Sequence, residues 1–93
     1  MKEKSFQDEC EAYLTHLKVY HVVTWGNAWE RRGRPDIYIC HKGRFIGCEL
    51  KKGTEEHPSP LQLKHLREIK DSGGIGVWIT SLEELQNLLR SLD

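Results

Sequence analysis

The sequence predicts an α/β fold of order αβββαβα, a mixed β-sheet flanked by helices. Three observations carry this expectation. From Gly33 to Lys51, apolar and polar residues alternate on either side of Lys42-Gly43, the pattern of a β-hairpin. Helix-spaced apolar residues occur before and after that hairpin. Two further β-rich runs, Tyr20–Trp25 and Ile75–Thr80, stand between the helical segments.

In chain order, the first helix is expected from about Glu3 to Lys18, because Phe6, Cys10, Tyr13, Leu14 and Leu17 recur at steps of three and four. The strand Tyr20–Trp25 follows, with His21 half-exposed in it. Residues Gly26 to Arg34 form a polar, Gly-punctuated loop that holds Trp29, Arg31, Arg32 and Arg34. Pro35 restricts Arg34 to an extended conformation and so sets the start of the next strand. After the hairpin, Gly53 to Ser59 reads as a loop. Ser59 as N-cap and Pro60 in the first turn start a helix to Asp71. Leu61, Leu66 and Ile69 form its inner face, with Leu63 less firmly placed, and Lys64, His65, Arg67 and Lys70 form a basic side. Gly73-Gly74 suits a left-handed cap. Ser81 and Glu84 then form the capping box of a last helix whose inner face is Leu82, Leu85, Leu88, Leu89 and Leu92.

The hairpin also carries the chemistry. With Lys42 and Gly43 as a two-residue turn, His41 faces Arg44, Cys40 faces Phe45 and Asp36 faces Glu49. Alternation then places Asp36, Tyr38, Gly47, Glu49 and Lys51 on one face, and Ile37, Ile39, Ile46, Cys48 and Leu50 on the core face. Like charges directly opposite each other are destabilising. Two facing carboxylates make sense with a cation between them, and a divalent cation with oxygen ligands fits. Lys51, on the same face as Glu49, reaches a water or phosphate near that ion; Lys52 points the other way.

The same residues resemble a known family. Arg32-Gly33-Arg34-Pro35-Asp36, then Glu49-Leu50-Lys51, then Ser59-Pro60-Leu61-Gln62 is similar to the Pro-Asp…Glu-x-Lys pattern of the restriction-endonuclease-like nucleases, and most closely to their virus-type replication-repair nuclease (VRR-NUC) branch. The resemblance covers almost the whole chain as a single domain, residues 1–93. It implies a Mg²⁺- or Mn²⁺-dependent nuclease acting on DNA. It implies Asp36, Glu49 and the Leu50 backbone carbonyl as metal ligands, with Lys51 and Gln62 beside them as catalytic groups. Gln62 is expected to hold a water or phosphate, or to orient Lys51. The related nucleases also carry a metal-binding Glu on the first helix. Glu3 is the candidate here, eleven residues before Leu14; the position used by some relatives, seven before that Leu, is Gln7, a poor ligand for a hard cation. Arg31, Arg32, Arg34, Lys52 and Lys64 are the candidate DNA contacts, and Trp29 a candidate base-stacking residue.

Bulk properties set limits on these readings. Ninety-three residues give one modest core. No apolar run approaches the ~20 residues that span a membrane, and Met1 to Glu9 has no apolar signal segment. The expectation is therefore a cytoplasmic protein, with Cys10, Cys40 and Cys48 as reduced core residues and not zinc ligands or disulfides. Fourteen basic residues balance fourteen acidic ones, which is unusual for a DNA-binding protein. The basic residues nevertheless gather around the hairpin, and acids dominate the first helix and the C-terminus. Stand-alone relatives resemble Holliday-junction resolvases, which must cut two symmetry-related strands. That implies a homodimer acting on four-way junctions or other branched DNA. The alternatives are a less selective flap or duplex nuclease, a catalytically weak DNA-binding module as the Gln7 position suggests, and a generic α/β protein.

Overall fold

The computed structural model describes residues 3–24, 33–53 and 56–93, with the side chains of Glu3 and Lys4 outside that description. Its elements are α1 (Glu3–His16), β1 (Tyr20–Val23), β2 (Ile37–His41), β3 (Arg44–Leu50), α2 (Pro60–Asp71), β4 (Ile75–Ile79) and α3 (Leu82–Leu92). The expected order is reproduced. Trp25, Trp29, Arg31 and Arg32 lie outside the described residues.

The four strands form one sheet in the order β1-β2-β3-β4. The first two pairings are antiparallel, and β3 pairs with β4 in parallel through the α2 crossover. The hairpin register is the expected one: Ile37 opposite Cys48, Ile39 opposite Ile46 and His41 opposite Arg44. Lys42 and Gly43 have φ of 53° and 77°, the two positive values of the type I′ turn that matches strand twist.

Helices α1 and α3 cover one face of this sheet. Phe6, Cys10, Leu14, Ile37, Ile39, Ile46, Cys48, Leu50, Ile79, Leu85 and Leu89 form the buried core there. Helix α2 covers the other face over β3 and β4. Ile46 through Leu50 are consequently buried without alternation, as a strand covered on both sides must be. Small residues set how closely α2 approaches. A Cβ on Gly47 would come within 2.3 Å of the Ile69 side chain, and one on Gly76 within 2.1 Å of the Leu66 carbonyl oxygen.

The helix ends follow local chemistry. Ser59 caps α2 as expected, in a complete capping box with Gln62. At its far end, Gly73 N–H donates to the Lys70 carbonyl and Gly74 N–H to that of Ile69, with Gly73 at φ 98°, a Schellman motif. Helix α1 closes by the same motif with Lys18 at φ 60° in the glycine position; Val19 N–H donates to the Leu14 carbonyl and Lys18 N–H to that of Thr15. Ser81 caps α3, but the Glu84 carboxylate takes the Thr80 N–H one residue before the cap. The expected capping box is therefore shifted by one residue.

Several burial expectations are corrected. Cys10 and Cys48 are buried but Cys40 is exposed. It lies in a cross-strand row with Tyr20 and Phe45, both exposed. Leu17 falls just past α1, where the chain turns away, and is exposed. Leu61 and Leu63, near the α2 N-terminus, are also exposed, so Leu66 and Ile69 make the inner face.

Two outcomes follow. Gly76→Ala forces α2 off the sheet and is expected to cost about 1–3 kcal/mol by urea denaturation. Burial, with a smaller contribution from Glu9, pushes the Cys10 thiol up to about 12, and burial likewise raises that of Cys48. A thiol reagent near pH 8 should therefore titrate one group per native chain, Cys40, and all three after unfolding.

Candidate functional site

The site forms where the β2–β3 hairpin arms end beneath the N-terminus of α2. Asp36 and Glu49 are 2% and 1% exposed. Continuing the observed register by one residue past Ile37 and Cys48 sets them opposite each other on the α2 face. Each has a dedicated partner. Asp36 Oδ2 accepts the backbone N–H of Leu50 at 2.9 Å. Glu49 Oε2 accepts from Gln62 Nε2 and lies 3.5 Å from the Lys51 ammonium.

Gln62 connects local structure to the site. Its Oε1 accepts the Ser59 N–H at 2.7 Å while its Nε2 donates to Glu49. The helix cap fixes the amide's orientation, and the amide in turn fixes the carboxylate. Both ends are engaged by protein. Alongside the expected role of holding a water or phosphate, or orienting Lys51, the amide directly orients Glu49.

Asp36 is fixed from the other side by Thr24, a residue the sequence did not single out. The Thr24 hydroxyl donates to the Pro35 carbonyl at 2.6 Å, and its N–H donates to the Asp36 carbonyl at 2.9 Å. A Thr within a β-rich run carries no distinctive signal. Its role depends on β1 ending beside residue 35, which only the folded sheet reveals.

The other predicted residues divide plainly. Lys51 is brought to the carboxylates. Lys52 is half-buried, and Arg34 and Lys64 are exposed. Arg31, Arg32 and the Glu3 side chain lie outside the described residues. Gln7 is buried. The α1 core stripe of Phe6, Cys10 and Leu14 packs on the sheet face opposite to Asp36 and Glu49. His57, a residue of the loop before α2, meets the Trp78 ring edge-on at 6.4 Å.

Among the described residues, no group of three or more His, Cys, Asp or Glu is arranged to hold a metal ion. The donor set present is nonetheless suited to a hard divalent cation: two buried carboxylates on one face, with no sulfur or imidazole among them. Asp36 and Glu49 are the residues that would hold it.

The four-stranded mixed sheet with its three helices is consistent with a restriction-endonuclease-like fold, as the sequence predicts. A solved structure described as a VRR_NUC domain protein superposes with a TM-score of 0.82 over 99% of this chain and 88% of that one, at 16% sequence identity. The likeness is one of fold. No protein-family model matches the sequence, and no curated protein is significantly similar to it.

The two functions of Gln62 are separable. Ser59→Ala removes only the cap and is expected to cost about 1 kcal/mol. Gln62→Ala also takes a donor from a buried carboxylate, for about 1–3 kcal/mol more. Equal denaturation midpoints for the two variants would show that the amide contributes nothing to holding Glu49.

Proposed function

We propose that the chain is a Mg²⁺- or Mn²⁺-dependent endonuclease that hydrolyses phosphodiester bonds in branched DNA. The convergence of Asp36, Glu49 and Lys51 under the capped end of α2 carries this reading. The fold shared with a VRR_NUC domain protein supports it.

Asp36 and Glu49 would hold the cation, with the Leu50 carbonyl and Glu3 as further candidate ligands. A cation bound there supplies Lewis-acid polarisation of the scissile phosphate and lowers the pKa of an attacking water. The chain's own residues do the rest. Thr24 holds the backbone at Pro35 and Asp36, the Leu50 N–H holds the Asp36 carboxylate, and Gln62 holds that of Glu49. Lys51 offers its ammonium to the charge that develops on the phosphate as the bond breaks. Arg34, Lys52 and Lys64, with Arg31 and Arg32, are the phosphate contacts that position the duplex arms.

Each chain carries one such cluster. Symmetric cutting of a four-way junction therefore needs a two-fold homodimer, and Holliday-junction resolution is the specific activity proposed. No described helix is long and apolar enough to cross a membrane, which is compatible with the cytoplasmic location this activity requires.

Two measurements test the reading. Mn²⁺ should raise the melting temperature of the native protein, because a ligand that binds only the folded state stabilises it. That rise should vanish in Glu49→Gln. On labelled four-way junction, flap, duplex and single strand, the native chain should place paired nicks in the junction with Mg²⁺ or Mn²⁺. EDTA, Glu49→Gln and Lys51→Ala should each abolish them. Full cleavage by Glu49→Gln would refute the site; metal-dependent cutting of flap or duplex alone would keep the nuclease and reject the resolvase.

A further inference from the structure

Trp78 has no role in the site above, yet it stands next to it. It is the β4 partner of Glu49 in the parallel register. Paired residues of neighbouring strands project from the same face, about 4.8 Å apart at the backbone. The indole therefore flanks the carboxylate cluster on the sheet's outer side. It is 42% exposed, which is high for the largest apolar side chain.

The space beside it is a groove of about 220 Å³ between α2 and β4. Gly76 lies low against Leu66, because α2 sits directly on its Cα. Leu63 and Trp78 give the groove its apolar surface, and Arg67 and Lys70 give it charge. Arg67 and Lys70 stand one turn apart on one side of α2, and no acidic residue lines the groove among those described. An exposed indole with two cations and no anion suits a polyanion that also presents flat π-faces. Single-stranded nucleic acid has that combination; in a duplex the base faces are already stacked on one another.

Resting on the nuclease reading, we propose that the α2–β4 groove holds an unpaired segment of the DNA substrate beside the carboxylate site. Trp78 stacks on a base, and Arg67 and Lys70 contact the flanking phosphates. The preferred junction is then one whose branch point is opened next to the cut. His57, edge-on to the indole, supports the ring from the loop that leads into α2.

The test is binding, measured apart from cleavage. The probe is a fluorescein-labelled dT12 strand, with a blunt 12-base-pair duplex as comparator, both followed by anisotropy in EDTA. Trp78→Ala should weaken dT12 binding about tenfold, within the range of one lost stacked base, while duplex binding changes less than twofold. Trp78→Phe should retain most of the dT12 affinity. The double change Arg67→Gln with Lys70→Gln should lower the salt dependence by about 1.4 in log–log slope, the share of two phosphate contacts on a single strand. Unchanged dT12 affinity in Trp78→Ala overturns the proposal. So does an equal loss for strand and duplex, or a loss that Trp78→Phe does not restore. Loss of a dimer by light scattering with strand binding intact would assign the groove to a second copy instead. Glu49→Gln separates the two readings. If it abolishes cleavage while Trp78→Ala leaves dT12 binding unchanged, the groove proposal fails and the nuclease stands. If it cleaves normally while Trp78→Ala binds dT12 poorly, the nuclease site fails and the groove remains a strand-binding surface.

Discussion

The rest of the structure depends on the burial of two like charges, Asp36 and Glu49, on one face of a two-stranded hairpin. Removing a carboxylate from water costs several kcal/mol unless hydrogen bonds and opposite charge replace the lost solvation. Every element near the site contributes to that replacement. Strand β3 gives the Leu50 N–H to Asp36, and Lys51, just past its end, gives its ammonium to Glu49. Helix α2 gives the Gln62 amide. Two buried oxygen donors beside a lysine are the arrangement that the proposed phosphodiester hydrolysis would use.

The helix that brings Gln62 to the site is held down by the absence of side chains. Gly47 and Gly76 let Ile69 and Leu66 of α2 approach the sheet within distances a Cβ would occupy. That low seat places residue 62, one turn into the helix, over Glu49. The same seat leaves Trp78 beyond the helix's edge, so one packing decision both closes the carboxylate-bearing face and opens the groove beside it.

Much of this was legible in the chain. The period-two alternation and the Lys42-Gly43 turn fixed the β2–β3 register, since a slip of one residue would send Ile37, Ile39 and Leu50 to the polar face. Ser59-Pro60 marked the start of α2 to the residue, because cap chemistry is local. The pairing of Asp36 with Glu49 followed from counting. Less was legible where distant elements meet. Cys40 looked like core by composition, but α2 is offset toward β4 and leaves it in solvent. Glu84 was expected to complete a box at Ser81 and instead reaches Thr80. Thr24 gave no sign of holding Pro35 and Asp36, because that contact spans the loop between β1 and β2.

The sequence by itself determined the element order, the hairpin register, the Ser59 and Ser81 helix caps and which carboxylates face each other. These rest on interactions between residues close in the chain, whose geometry the backbone dictates. Only the tertiary structure decided that the face bearing the carboxylates is buried, that Gln62 orients Glu49, and that Trp78 lies beside the site with Arg67 and Lys70. Those depend on how far one helix settles onto a sheet. That distance is set by packing of side chains, and by missing ones, from strands separated by tens of residues, and no local pattern records it.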